Sequence, residues 1–264
     1  MDCKIIKYSL IIILIAFKVN AIEFNGKFIQ GHFIIGKTDS NKKIFIDKRE
    51  VKVSKDGFFA FGIGKDRKYD VIITEGDKQI IKQIQKRKYN IQKIDGLPEK
   101  KVTPPEEFYV RIKKENKLIV DAREVNSDLI FFKEKFILPV DNAIVTGVYG
   151  SQRILNGIPK WPHYGLDFAQ KKGTPIKAMN SGVATLVEED LFYTGATLIF
   201  DHGHGISTLY MHLDKIFVNK GDHVKKGEII GTVGSSGRST GPHLDVRLNW
   251  FGTRLDPATI LNIQ

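Results

Sequence analysis

The sequence predicts a mostly β protein: a compact antiparallel β domain at its C-terminal end, preceded by a small β domain and a connecting helix. Three observations lead there. Short runs of β-branched and aromatic residues alternate with polar ones through most of the 264 residues, the pattern of half-buried strands. Gly, Asn and Asp turn formers punctuate those runs at short intervals. Only the stretch after Pro104-Pro105 carries a helix-like spacing.

Residues 1–21, MDCKIIKYSLIIILIAFKVNA, have lysines at Lys4 and Lys7, an apolar run from Leu10 to Phe17, and Val19-Asn20-Ala21 at the end. This is the layout of a secretory signal peptide with a small-x-small cleavage site. The apolar run is short for a bilayer span, so no stable membrane span is expected after cleavage; an uncleaved anchor is the alternative. Residues 22–97 follow as a small β domain. GKFIQGHFIIGK, KKIFIDKREVKVS, DGFFAFGIG and KYDVIITEGDKQIIKQIQ alternate with period two, with turns at Asp39-Ser40-Asn41, Lys55-Asp56-Gly57 and Glu75-Gly76-Asp77. Pro98 and Pro104-Pro105 open a linker, residues 98–135, with one or two helices. Pro105 before Glu106-Glu107 suits a helix start, because acidic residues meet the positive end of the helix dipole. Asn126-Ser127 is a break point. From residue 136 to 264 glycine becomes frequent and short strands recur: AIVTGVYG, TPIKAMNSGVATLVEE, ATLIFDHGHGISTLYMHL, EIIGTVGSS and HLDVRLNW.

Composition narrows the chemistry. The hydrophobic share of 42% suits a globular protein with a sizeable core. The net charge of +11 favours polyanions such as an anionic envelope polymer, although lysines scattered through Lys/Ile/Asn-rich text also fit a biased base composition. With no basic helical face and no aromatic–basic interleaving, no nucleic-acid partner is expected. The single cysteine, Cys3, lies in the leader. Thiolate-held zinc is therefore excluded, and any metal site must use His, Asp or Glu.

Five of the seven histidines fall between His202 and His243, and His163 lies upstream. His163 and Asp167 stand four apart in WPHYGLDFA, and His243 and Asp245 two apart in GPHLDVRLN. Residues two apart on a strand share a face. A catalytic zinc needs three protein ligands and an open position; His163, Asp167 and Asp245 could supply the three. His212 and His243 would then be imidazoles beside the ion, able to accept a proton from an activated water or to steady a developing oxyanion. Spacing alone leaves satisfied core or edge histidines as the alternative, and for Asp245 a salt bridge to Arg247 or Arg238.

Three blocks, WPHYGLDFAQKKGTPIKAMNSGVATLVEE, DHGHGISTLYMHL and VKKGEIIGTVGSSGRSTGPHLDVRLNW, together with VTGVYGSQR upstream, resemble in order the lysostaphin/LytM-type zinc metallopeptidases. The resemblance covers roughly residues 139–250; the preceding β domain and helix, with FGIGKD, resemble the N-terminal extension of periplasmic members. It implies a zinc-dependent endopeptidase that cuts peptide cross-links of peptidoglycan in the periplasm or cell envelope, with one Zn²⁺ per chain. By analogy with the periplasmic members, the bond would join D-alanine to meso-diaminopimelate. His163 and Asp167 match the first two zinc ligands of that family, and His212 and His243 its two catalytic imidazoles. The third ligand of the family is a second His in His-x-His; here that position is Asp245. Two carboxylates lower the positive charge on the ion and should weaken its polarising power, so an altered site, shifted to higher pH or tolerant of Mn²⁺, is expected. The competing reading is a catalytically silent relative that binds the wall or activates another hydrolase. The hairpin GDHVKKGEIIGTVG resembles that of biotinyl and lipoyl carriers, but Lys225 and Lys226 lack the required setting.

Lesser expectations complete the reading. His202 and His204 are expected in a Gly-bounded turn, packed there or exposed to solvent rather than ligating, that Asp201 hydrogen-bonds, and His223 on the surface. The loop at residues 150–162 is expected to wall a groove, with Trp161 packing or stacking on substrate, and the Gly/Ser loop at residues 235–242 to lie close to a peptide backbone, with Arg238 either contacting a substrate carboxylate or on the surface. The N-terminal β domain is a candidate inhibitory or docking part.

Overall fold

A computed structural model describes residues 21–96, 99–142 and 144–261, and every element counted below lies within them. The leader expected over residues 1–21 falls almost wholly outside the described residues. The N-terminal part holds strands β1 (Glu23–Asn25), β2 (Phe33–Lys37), β3 (Ile44–Ile46), β4 (Arg49–Val51), β5 (Phe58–Gly62), β6 (Val71–Glu75), β7 (Lys78–Lys82) and β8 (Ile91–Ile94). They form a three-stranded sheet β1-β2-β5 and a four-stranded sheet β4-β3-β6-β7. The turn expected at Lys55-Asp56-Gly57 is closed by the Gly57 amide donating to the Ser54 carbonyl at 2.8 Å.

After the short α1 (Glu99–Val102), a 3₁₀ turn at Glu106–Phe108 leads into α2 (Tyr109–Arg123). The helix thus starts where Pro105 and the acidic pair predict, and stops before Asn126-Ser127. A second 3₁₀ turn at Phe131–Lys133 ends the connection.

The C-terminal part runs through β9 (Ile144–Gly147), β10 (Gln152–Leu155), β11 (Ile158–Pro159), β12 (Leu166–Ala169), β13 (Pro175–Lys177), β14 (Gly182–Leu191), β15 (Gly195–Gly203), β16 (Ile206–Ile216), β17 (His223–Val224), β18 (Ile229–Val233), β19 (His243–Trp250) and β20 (Thr253–Leu255), closing with α3 (Ala258–Leu261). Ten of these strands make one antiparallel sheet whose main path is β17-β14-β15-β16-β19-β12-β9. The long β14, β15 and β16 are consecutive hairpin strands, as short connections dictate.

Two packed faces place the site. One face of the large sheet closes on a core that includes Leu166, Phe168, Phe200, Tyr210, Leu244 and Val246. At the other end Ile206, Leu248, Trp250 and Leu255 join a second core with Phe33, Phe59, Phe61 and other N-terminal residues. The N-terminal sheets are thus packed onto the large sheet through one continuous apolar cluster. A second tie is β8, which pairs in parallel with β10, Gln92 opposite Arg153. Sequence order gives no sign of this pairing.

Candidate metal centre and active site

Strands β12 and β19 are antiparallel neighbours, with Asp167 directly opposite Asp245 and Ala169 opposite His243. Alternation sends Leu166, Phe168, Leu244 and Val246 into the core, so Asp167, His243, Asp245 and Arg247 must emerge on the other face. His163 reaches the same place from the loop before β12. Its backbone is fixed at both ends: its amide donates to the Ser151 carbonyl (2.8 Å), and its carbonyl accepts from the Gly150 amide (2.7 Å).

His163 Nε2 lies 3.0 Å from Asp167 Oδ1 and 3.3 Å from Asp245 Oδ2. One ligand atom from each of the three lies within 4.8 Å of the others, and all three residues are buried. Asp167 Oδ1 is a buried oxygen on which no donor is aligned. A buried acceptor without a donor is costly, and a cation is the group that satisfies two facing carboxylates and an imidazole lone pair together. One nitrogen and two carboxylate oxygens match zinc's donor preferences. The residues present therefore fit a divalent ion.

The electrostatics agree. Burial works against a charged His163, but the Asp245 charge, aided by Asp167, outweighs it and holds the imidazole above its ordinary pKa. Burial also opposes ionisation of Asp245. Arg247 and then His163 overcome it, and the carboxyl is held well below the usual range. Each carboxylate has its own arginine. Arg153 Nη2 is 3.0 Å from Asp167 Oδ2, and Arg247 Nη2 is 3.0 Å from Asp245 Oδ2. The salt bridge to Arg247, the alternative expected for Asp245, is present: the same Oδ2 faces both Arg247 and His163.

Two glycines make room. A β-carbon on Gly147, which pairs with Asp167 across β9, would stand 2.1 Å from Asp167 Oδ2; one on Gly165 would stand 2.0 Å from Asp245 Oδ1. Neither position tolerates a side chain while the carboxylates keep their places.

His212 and His243 lie beside this group, ring centroids 4.8 Å apart. His212 Nδ1 is 2.8 Å from the Ser236 carbonyl, and His243 Nδ1 is 2.8 Å from the Gly241 carbonyl. A carbonyl only accepts, so each Nδ1 carries the proton and each Nε2 keeps its lone pair. His163 Nδ1 is tied more loosely to the Val148 carbonyl at 3.3 Å. His212 adopts a left-handed backbone, φ +64°, uncommon for a residue with a β-carbon and a mark of imposed placement. Burial, moderated by Asp245, lowers its pKa to about 4, which keeps the imidazole neutral at physiological pH. These side chains open on a groove of about 350 Å³. Residues 238–242 line one wall, and Arg153 and Leu155 of β10 with Gln92 and Ile94 of β8 line another.

The structure therefore brings together all five singled-out residues. Arg153, Gly147 and Gly165 were not anticipated. The expected wall from residues 150–162 is supplied by Arg153 and Leu155 of the β10–β11 hairpin, and residues 238–242 line the groove as well. Trp161 is 82% exposed. Arg238 lies over the Tyr193 ring at 4.4 Å. Of the two settings expected for His202 and His204, packing is the one found: both are buried. His202 Nδ1 faces the Ser181 carbonyl and Nε2 faces Thr208 Oγ1, each at 2.7 Å, while His204 stacks near Phe132. Asp201 does accept from the Gly203 amide at 3.0 Å, and His223 is exposed.

The chain is similar to known proteins. The family model described as "Peptidase family M23" matches residues 161–257. Over 87 residues the chain is 42% identical to the peptidoglycan DD-endopeptidase ShyA of Vibrio cholerae, covering 33% of this chain and 20% of ShyA. The matches to such relatives span about a fifth of their length. The crystal structure of an M23 peptidase candidate from Pseudomonas aeruginosa superposes with a TM-score of 0.69 at 25% identity, over 89% of this chain and 95% of that one. The catalytic domain of the antimicrobial peptidase lysostaphin from Staphylococcus simulans is 35% identical over 47% of this chain and 95% of that domain, with a TM-score of 0.42.

Proposed function

Because the chain belongs to peptidase family M23, we propose that it is a zinc-dependent endopeptidase hydrolysing peptide cross-links of bacterial peptidoglycan. The ligands are His163, Asp167 and Asp245, and the proton-handling imidazoles are His212 and His243. The observation that carries this reading is the convergence of one ligand atom from each of His163, Asp167 and Asp245 within 4.8 Å, beside two imidazoles whose Nε2 atoms keep their lone pairs. The similarity to ShyA, a peptidoglycan DD-endopeptidase, supports a D,D cross-link as the scissile bond. Such a substrate lies outside the cytoplasm, which agrees with the exported leader expected from residues 1–21.

A divalent ion on these ligands supplies Lewis acidity to a peptide carbonyl and to water. The chain's own residues do the rest. The groove between residues 238–242 and the β8–β10 wall takes an extended peptide past the ligand face. His212, neutral above about pH 4, accepts a proton from the attacking water. His243 stands 4.8 Å away, ring to ring; the proton taken from water is the one handed on to the leaving amine, and the imidazole that carries it as an N–H steadies the oxyanion on the way. Arg247 offsets part of the second carboxylate's charge by drawing on Asp245 Oδ2. The fall in Lewis acidity expected from replacing His by Asp is thereby reduced.

The Arg247 contact also favours the alternative, a silent domain that binds the wall or activates another hydrolase, because that guanidinium competes for the oxygen a metal would use. Incubating purified sacculi with the protein separates the two. The endopeptidase reading expects soluble muropeptides to appear, to vanish with a chelator and to return with Zn²⁺. A protein that holds zinc yet releases nothing supports the silent reading.

A further inference from the structure

A second cleft, of about 600 Å³, lies at the seam between the N-terminal sheets and the large sheet. Its walls carry Lys48, Arg49, Lys65, Arg67 and Arg254, against two carboxylates, Asp47 and Asp66. Both carboxylates are engaged. Arg67 forks onto Asp47 at 2.7 and 2.8 Å, and Lys65 pairs with Asp66 at 3.1 Å. Among the described residues, Lys48, Arg49 and Arg254 have no ion pair. The two arginines are held by aromatic faces instead. Arg49 lies 4.2 Å over Phe251 and 5.7 Å over Trp250, and Arg254 lies 4.5 Å over Tyr164. Stacking fixes a guanidinium plane while leaving its N–H edge open. A further cation sits behind the floor: buried Arg123 donates to the carbonyls of Phe251 and Gly252, and its Nε has no partner.

The cleft runs on into a shallower depression through shared Lys65, Asp66 and Tyr164, and that depression is edged by Trp161. The indole is 82% exposed, the largest exposure among the described large hydrophobic side chains. Neither hollow shares a lining residue with the metal-site groove. A concave, cationic surface of this volume suits an oligomer of small polar units. One free aromatic face beside spaced guanidinium edges matches a pyranose chain bearing carboxylates. A single-stranded nucleic acid would call for successive stacking aromatics, and a duplex for an element that enters a groove.

We propose that this seam cleft is a second binding site, apart from the metal centre, for an anionic glycan strand, with Trp161 stacked on a sugar ring and Arg49 and Arg254 paired with its carboxylates. The choice of strand rests on the peptidoglycan reading above. A stem peptide is amide-linked to the lactyl carboxyl that bears it, so the carboxylates bound here are those of peptide-free muramic units, held while the metal groove works on peptides of neighbouring units.

The test titrates peptide-free glycan strands, whose muramic lactyl groups carry free carboxylates, into the full chain with zinc and after chelation, following tryptophan emission. The chain has two tryptophans; Trp250 lines the cleft beneath Arg49, so the titration is repeated in Trp161→Ala to separate the signal of Trp161. Binding is expected in both states, weakening as salt rises. Arg49→Gln with Arg254→Gln should weaken it at least about tenfold, two charge-assisted contacts being lost; Arg49→Lys with Arg254→Lys should recover part of the affinity. Calorimetric binding to Trp161→Ala should fall as well. Unchanged melting temperatures in these variants establish that the fold survives. Equal affinity of the double Gln variant, equal binding of an uncharged chitin oligomer or of duplex DNA, or loss of binding on chelation would each overturn the proposal. Glycan binding that persists in a protein that cleaves nothing leaves the cleft standing and removes the peptidase reading.

Discussion

Asp167 faces Asp245 directly across the β12–β19 ladder, two carboxylates on one buried face. Like charges opposite one another on neighbouring strands are destabilising, and burial makes the conflict worse. His163 lies between them, and Arg153 and Arg247 hold one each from outside. The charge conflict is explained if this face exists to hold a cation.

Gly147 tests the first half of that account. All three nearest atoms to an added β-carbon belong to the Asp167 side chain, at 2.1, 2.7 and 3.0 Å. Gly147→Ala must therefore displace the Asp167 carboxylate while leaving the neighbouring backbone alone. Zinc affinity, measured by competition with a chromophoric chelator, should fall by roughly 10- to 100-fold, the range for disturbing a group that orients a metal ligand, with the melting temperature of the metal-free protein nearly unchanged.

Arg247 tests the second half. In the metal-free protein it neutralises Asp245, so Arg247→Gln should destabilise that form by about 1–3 kcal/mol, the cost of a buried charge that loses its partner. With zinc bound, the ion takes over that role, and the deficit should shrink. Chemical denaturation with and without Zn²⁺ measures both. Equal destabilisation in the two states would show Arg247 to be an ordinary structural residue.

His212 and His243 are assigned to proton transfer rather than to metal binding. His212→Ala and His243→Ala should each keep bound zinc and lose about 10²- to 10⁴-fold in cross-link cleavage, the usual contribution of a positioned acid or base. Zinc content by elemental analysis, beside muropeptide release, separates the two roles.

Acid should unfold the protein in a defined window. Burial lowers His202 to about 4, and burial followed by Lys52 lowers His204 to about 4. With folded pKa values below the ordinary 6.5, the unfolded chain binds the extra protons. Their contribution is full above pH 6.5 and is lost as the pH falls toward 4, at up to ~1.4 kcal/mol per pH unit for each group. His202→Asn should flatten the pH dependence of the melting temperature in that range; an unchanged slope would show that His202 does not titrate there.

The sequence carried the site unevenly. Alternation in HLDVRLN placed His243, Asp245 and Arg247 on one face without further help. The grouping of His163 and Asp167 with that strand is one option among several on the residues alone and gains its weight from the resemblance, because a four-residue spacing that runs from a loop into β12 has no fixed geometry of its own. Arg153 was out of reach. It meets Asp167 only because residues 150–162 fold as a hairpin and take β8 as a parallel partner, a contact some sixty residues distant that no local pattern encodes. Gly147 and Gly165 look like any turn glycines until the carboxylates beside them are seen. His202 and His204 read as a turn, packed or exposed, and residues after α2 cover it: the His204 amide donates to the Ser127 carbonyl, and Leu129 presses on Gly203 so closely that a β-carbon would stand 1.6 Å from its carbonyl oxygen.

The account depends most on Asp245 as a ligand, and metal content tests that most directly. Purified wild-type protein and Asp245→Ala, both confirmed folded, are dialysed against the same zinc buffer and their bound metal counted. The account predicts about one zinc per wild-type chain, as a three-ligand catalytic site holds, and none in the variant. A variant that still holds one zinc as tightly as wild type would contradict it and leave Asp245 as the partner of Arg247 alone.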